Sequence, residues 1–301
     1  MASLHFLPLL SAITIFLTLL SKAHSQTKIN NQTDFTFSEF NSQNIKSLIF
    51  QGEAKLSGNL IELTRTNASG FPQKNSVGRV IHSDIVHLWN SKQNPPQFST
   101  IQTTFKIRLS SPTREIAGDG LTFFIAPSSI SKIPIPNDSD GGYFGLFANN
   151  TLPPTVDYPN SLNPIIFVEF DNYVDGRWDP NYKHIGINVN TTRSRAAVPW
   201  DRQSGKDLTA TVEYNPNNKL LYVSAAYGSD IPYEVSSSVE ISNLPEFVRV
   251  GFSASTGDSA VETHELISWT FSSWLHNVTA LPNTVTLNQS SPQAQLLHSS
   301  A

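Results

Sequence analysis

Short apolar runs separated by turn-forming residues fill the chain between positions 35 and 275. FTFSEF (35–40), SLIFQGEAKL (47–56), NLIEL (59–63), FSTIQTTFKIRL (98–109) and LTFFIAP (121–127) are the first of these. PIIFVEF (164–170), HIGINVN (184–190), LTATVEY (208–214), KLLYVSAAY (219–227) and VRVGFSAS (248–255) follow. They are rich in β-branched and aromatic residues, and several alternate apolar and polar positions at period two, which predicts strands. NPPQ (94–97), YNPNNK (214–219) and YGSDIPYE (227–234) carry turn chemistry. No window supports a long amphipathic helix, although SSVEISNLPEF (237–247) has room for a helical turn. Many short strands with one apolar face each predict two packed sheets, an all-β antiparallel β-sandwich.

Composition narrows the class. The 301 residues are 39% hydrophobic and only 15% charged, with net charge −4, so the chain is globular and not a nucleic-acid binder. Arg193 and Arg195 form a pair, not a patch that tracks a phosphate backbone. With no cysteine, the fold owes nothing to disulfides and thiol chemistry is excluded.

Both ends differ from the body. Residues 4–20 are almost unbroken apolar sequence, and Ala23-His24-Ser25 offers small residues where a signal peptidase cuts. Residues 1–25 are therefore read as a signal peptide, in preference to a lone anchoring helix. No later apolar run reaches membrane length, so the expectation is no membrane span and a secretory-pathway protein, apoplastic or vacuolar. Seven Asn-x-Ser/Thr sequons agree with that route: Asn31, Asn67, Asn137, Asn149, Asn190, Asn277 and Asn288. Residues 276–301 are rich in Ser, Thr and Asn, and read as a disordered extension or a processed sorting tail.

The candidate chemistry lies in VEFDNYVDGRWDPNYKHIGINV (168–189). On an extended strand, residues two apart share a face, so Glu169 and Asp171 project together. The turn that follows brings back Asp175 and Asp179, and His184 opens the next strand. Carboxylates gathered this way repel one another unless a cation lies between them. Oxygen ligands without a thiolate suit a hard ion, and one added imidazole suits a neighbouring transition ion such as manganese.

Several separated blocks together resemble the legume-type lectin family, with its concanavalin A-like jelly-roll sandwich. GDGLTFFIAP (118–127), GGYFGLF (141–147), the 168–189 block, VRVGFSASTG (248–257) and ETHELISWTF (262–271) carry the resemblance, which covers Phe35 to about Leu275 within a sandwich domain read as residues 26–275. It implies that Glu169, Asp171, Asp179 and His184 hold Mn2+. It implies that Asp171, the Tyr173 carbonyl, Asp175 and Asp179 hold Ca2+. Asp119 would accept sugar hydroxyls, preceded by a cis peptide bond. Gly142 would offer an N–H, Tyr173 its ring face, and Asp258 and Ser259 the start of the specificity loop. The implied partners are glycans or glycoproteins, and the implied assembly a homodimer or tetramer.

Two positions depart from the family pattern: Gly118 stands where the family often has alanine, and the second bears directly on the ligand. Asp175 stands where the pattern has asparagine, so the calcium ligand oxygen is kept while an N–H donor is lost and negative charge is added beside Asp119. The primary expectation is a non-catalytic, secreted lectin whose calcium and manganese pair orders the sugar site. The alternative is a lectin-like storage, defence or interaction protein with weakened monosaccharide binding. Some glycoside hydrolases of similar fold use Glu-x-Asp-x-x-Glu along one strand. Here Val174 occupies the third position, so the paired carboxyl groups that retaining hydrolysis requires are absent. His264 is expected to be a satisfied structural histidine. Trp89, Trp200, Trp269 and Trp274 are expected in the core or an interface, and Trp178 is expected to brace the metal loop.

Overall fold

The computed structural model describes residues 31–112, 117–148 and 164–277. The segment read as a signal peptide (1–25), the expected 276–301 tail apart from His276 and Asn277, which close the last strand, and the sequons at Asn149 and Asn288 lie outside those residues. In chain order the strands begin with β1 (Gln32–Phe37), β2 (Leu48–Gly52), β3 (Lys55–Ser57), β4 (Leu60–Glu62), β5 (Val77–His82) and β6 (Val86–His87). Next come β7 (Trp89–Asn90), β8 (Gln97–Ser110), β9 (Gly120–Pro127), β10 (Ile166–Asp171), β11 (His184–Val189) and β12 (Ala196–Pro199). The last are β13 (Asp207–Asn215), β14 (Leu220–Tyr227), β15 (Tyr233–Ser238), β16 (Phe247–Ser255) and β17 (Thr263–Asn277).

These strands form two antiparallel sheets. One has nine strands in the order β15-β14-β13-β8-β17-β4-β3, with β1 on β17 and β7 on β8. The other has eight, ordered β12-β11-β10-β9-β16-β5-β2, with β6 on β16. Only 3-10 turns supplement them among the described residues, one of them at Ile241–Asn243 within the segment expected to hold a helical turn. The expected sandwich is therefore the observed one.

Side-chain alternation divides the eight-stranded sheet into two faces. Phe123, Ile125, Phe170, Ile185 and Phe252 point inward to meet Phe105, Ile107, Trp269 and Phe271 of the nine-stranded sheet. The Phe105 ring sits edge-on to Phe252 at 4.9 Å, and Phe252 edge-on to Trp269 at 4.9 Å. The intervening residues Phe124, Ala126 and Phe167 point outward, yet they too are buried, under Phe144 and Ile130 of the loops. This outer layer explains why every residue of β9, β10 and β11 is buried, whereas β14 alternates.

Two strand assignments from the sequence need correction. SLIFQGEAKL reads as one strand, but the chain breaks after Gly52, where φ is +64°, and its halves join different sheets. A side chain at Gly52 would meet the Val77 carbonyl at 2.4 Å, so only glycine lets the chain cross there. YGSDIPYE reads wholly as turn, but β15 begins at Tyr233. Alternation in YEVSSS is hidden because its intermediate and exposed positions carry mostly polar residues.

His82 is buried beneath β1, stacked on Phe35 at 3.7 Å. Burial lowers its pKa to about 4, with Asp84 opposing and Arg249 assisting. A folded pKa below the unfolded value means that this stability is fully present above about pH 6.5 and is lost as pH falls toward 4. Wild type is expected to lose up to roughly 3 kcal/mol more than His82→Gln across that interval, measured by urea unfolding at each pH. Parallel profiles for the two proteins would contradict the assignment.

Candidate functional site

The order β11-β10-β9-β16 brings four strand ends to one end of the eight-stranded sheet. Asp171 at the end of β10 pairs with His184 at the start of β11 and with Gly120 at the start of β9. Gly120 in turn pairs with Ser255 at the end of β16. Directly opposite residues share a face, so register alone places His184 beside Asp171, with Glu169 two residues back.

The resulting group is buried. Glu169, Asp171 and His184 are each at most 1% exposed, and a ligand atom from each lies within 4.8 Å of the others. His184 Nε2 is 2.9 Å from Glu169 Oε1, which also accepts the Ser194 hydroxyl. Glu169 Oε2 is buried without a hydrogen-bond partner. Burial, Asp179 and Glu169 push the Asp171 carboxyl well above its ordinary range. Burial and Glu169 push Asp179 up to about 7. Burial pulls His184 down, but Glu169 and Asp179 leave its pKa raised. An orphaned carboxylate oxygen among mutually repelling carboxylates, with one imidazole and no thiolate, fits a divalent cation.

The turn after β10 is shaped by its own aspartates. The Tyr173 N–H donates to Asp171 Oδ1 at 2.8 Å, and the Asp175 N–H donates to Asp179 Oδ2 at 2.6 Å. Asp179 and Asp175 are thus carried back toward Asp171, although they fall outside the tight Glu169–Asp171–His184 group.

Above this turn lies a cavity of about 270 Å³. It is lined by all six of the residues expected to bind ligand: Asp119, Gly142, Tyr173 and Asp175, with Asp258 and Ser259 at the rim. The Gly118–Asp119 peptide bond is cis, as the resemblance implies. Asp119 is buried, its N–H donating to Ser255 O at 3.1 Å and its carbonyl accepting the Asn172 N–H at 2.9 Å. Its Oδ2 has no partner. A Cβ on Gly257 would fall 2.8 Å from that atom, so the close approach of the 257 loop requires glycine. Burial raises the Asp119 pKa to about 8, aided by Glu262, Asp140, Asp175 and Asp179. Tyr173 is 40% exposed and offers its ring to the cavity. Gly142 is buried, and a Cβ there would meet Trp178 at 3.1 Å. Asp258 is paired with Lys74 at 3.5 Å, out in solvent.

Sequence reasoning missed four contributors. Arg177 holds Asp175 through Nε and Nη2, at 2.9 and 2.5 Å, so the added charge at Asp175 is not unpaired. Burial pulls the Asp175 carboxyl up, but bonds from Arg177 more than offset this and leave it below the usual range. An arginine two residues along a tight turn was the signal. Asp140 lines the cavity. Asn172 donates to both oxygens of buried Glu262, at 2.9 and 3.0 Å, which anchors the metal loop from beneath. Glu262 also approaches Arg202 at 3.5 Å and His264 at 3.3 Å. His264 meets Thr64 Oγ1 at 2.9 Å and is the structural histidine expected. Trp178 packs between Gly142 and the Arg177 guanidinium, whose carbon is 4.1 Å from its ring centroid. Trp269 is fully buried and Trp200 nearly so; Trp89 donates to Leu244 O, while Trp274 is 38% exposed.

The sequons divide as well. Asn31, Asn67, Asn137 and Asn277 are exposed. Asn190 is buried, its Oδ1 accepting the Ile165 N–H at 2.7 Å.

The β-sandwich thus carries a buried group of carboxylates and an imidazole close to an aspartate-lined cavity. Comparison with known proteins gives the family. The legume lectin domain matches residues 32–285, and the chain belongs to that family. Agglutinin-2 of Cladrastis kentukea is 44% identical, the match covering 90% of each chain. A mannose/glucose-specific lectin of Centrolobium tomentosum is 41% identical, over 82% of this chain and 97% of its own. Among solved structures, the metal-free form of lectin I-B4 from Griffonia simplicifolia superposes with a TM-score of 0.72. It is 36% identical and covers 80% of this chain and 99% of its own. The relatives are lectins, non-catalytic carbohydrate-binding proteins, and they favour carbohydrate binding over the storage or interaction alternative. Among the described residues, no helix is long and apolar enough to cross a membrane.

Proposed function

We propose that the protein is a secretory-pathway lectin whose glycan site is ordered by a Ca2+ and Mn2+ pair. The observation that carries this reading is the buried Glu169–Asp171–His184 group lying under the unpartnered Oδ2 of Asp119. Glu169, Asp171, Asp179 and His184 hold manganese; Asp171, the Tyr173 carbonyl, Asp175 and Asp179 hold calcium. When held there, the cations would neutralise these carboxylates, and the 172–183 turn would be fixed through its own aspartates. Asp119 accepts hydrogen bonds from the hydroxyls of a sugar whose apolar face rests on Tyr173, with Gly142 N–H, Asp258 and Ser259 completing the contacts. The partners are glycans or glycoproteins; a mannose/glucose-specific relative supports hexoses as the ligand class. The signal peptide and exposed Asn31, Asn67, Asn137 and Asn277 support the secretory route, to apoplast or vacuole, as a glycoprotein. Assembly as a homodimer or tetramer would use the open sheet edges.

The test is a glycan array of the protein lacking residues 1–25, run with calcium and manganese and again in EDTA. Binding that disappears in EDTA is the expected result. Folded, metal-loaded protein that binds no glycan would overturn the proposal.

A further inference from the structure

Resting on that reading, one residue of the cavity acquires a role of its own. Among the described residues that line the cavity, Asp119, Asp138, Asp140, Asp175 and Asp258 are acidic, and Arg177 is the single cation. Asp175 has only acceptor oxygens when ionised, so it offers no donor to a ligand. Arg177 has donors to spare. Its Nε and Nη2 bond Asp175 and its Nη1 donates to the Tyr143 hydroxyl at 3.2 Å. Of its five N–H groups, one on Nη1 and one on Nη2 remain after these bonds.

The guanidinium is also held in place. Asp175 grips one edge, its Oδ2 accepting from both Nε and Nη2, and the plane lies over Trp178. Its side chain is nonetheless 54% exposed, so the outer edge is open to a ligand. A planar fork fixed by a carboxylate and an aromatic ring loses little freedom when it donates again. Because Asp175 neutralises it, Arg177 brings a donor without a net pull on anions, and the lining aspartates repel them.

We infer that Arg177 is a specificity-determining residue of the saccharide site. Its remaining N–H groups donate to hydroxyl oxygens of a neutral saccharide whose neighbouring hydroxyl donates to Asp119. Asp175 acts through Arg177 by fixing the fork.

The experiment compares wild type, Arg177→Ala, Arg177→Gln and the double variant Arg177→Ala/Asp175→Asn. Affinity for the neutral glycan that wild type binds best on the array is measured by calorimetry. Calcium affinity is measured in parallel by competition with a chelating dye. Arg177→Ala is expected to weaken the glycan roughly tenfold to a hundredfold, with calcium affinity within about threefold of wild type. Arg177→Gln, which keeps an amide donor, should lose less. The double variant should regain affinity over Arg177→Ala, because asparagine restores an N–H at position 175. Wild-type glycan affinity in Arg177→Ala would overturn the inference while leaving the lectin reading intact. Loss of calcium and glycan binding together would also overturn it, by making Arg177 a support of the metal turn. A preference for uronic or sialylated glycans that depends on Arg177 would overturn the neutral class. Wild type that binds no glycan would overturn the lectin reading itself.

Discussion

Replacing Asp119 with asparagine is expected to weaken binding of every glycan by roughly ten- to a hundredfold while metal uptake survives. Each hydrogen bond to a charged acceptor contributes about 1.5–3 kcal/mol, and each 1.4 kcal/mol is a factor of ten. The substitution is nearly isosteric, and the backbone bonds to Ser255 and Asn172 are unaffected, so the loop should keep its shape. What changes is the unpartnered Oδ2 or its neighbour, where an NH2 group would now confront hydroxyl donors. Calorimetric titration of the wild-type ligand into Asp119→Asn checks this, with calcium titrated separately. Unchanged glycan affinity would remove Asp119 from the site. Simultaneous loss of calcium would reassign it to holding the loop.

The second large effect is on stability. Removing the metals should lower the melting temperature by roughly 10–20 °C at pH 8, and by progressively less at lower pH. At a metal concentration a hundredfold above Kd, each site contributes about 2.7 kcal/mol. For a domain of this size each kcal/mol is roughly 2–4 °C. The pH dependence has two parts with opposite signs. In the metal-free protein, Asp119 near 8, Asp179 near 7 and the raised Asp171 all lie above their unfolded values. Their stability is fully present below about pH 4 and is lost as pH rises through 7 and 8. In the loaded protein, cations bind the deprotonated carboxylates and release protons, so metal stabilisation grows with pH. Melting curves with and without EDTA from pH 5 to 8 should therefore diverge. Coincident curves at pH 8 would mean that the Glu169–Asp171–His184 group holds no ion.

What the sequence shows of this site follows its locality. The metal turn is contiguous, and period-two alternation in VEFD puts Glu169 and Asp171 on one face. His184 follows from a hairpin-like return that the turn residues predict. The Asn172–Glu262 contact spans 90 positions, and no local pattern links them. Arg177 is visible in the sequence, but its partner is not. Whether it reaches Asp175 or solvent depends on how the turn curls, and bonds from the Asp175 and Trp178 amides set that curl. The sandwich was legible because most strands alternate. The crossing at Gly52 was not, because Leu48–Gly52 and Lys55–Ser57 look continuous until the sheets they join are known. Asn190 carries a valid sequon, and only burial shows its side chain already engaged.

The position of β17 bears on how the chain reaches this structure. The last described strand lies inside the nine-stranded sheet, flanked by β8 on one side and by β4 and β1 on the other. Gln32 there faces Trp274, so the first strand made waits for the last. A ribosome delivering the chain from its N-terminus cannot complete that sheet until nearly all of the domain has been synthesised. Folding is then dominated by long-range pairing, which is slow and leaves strand edges exposed in the interim. Chains released before β17 should be clients for chaperones rather than partly working proteins.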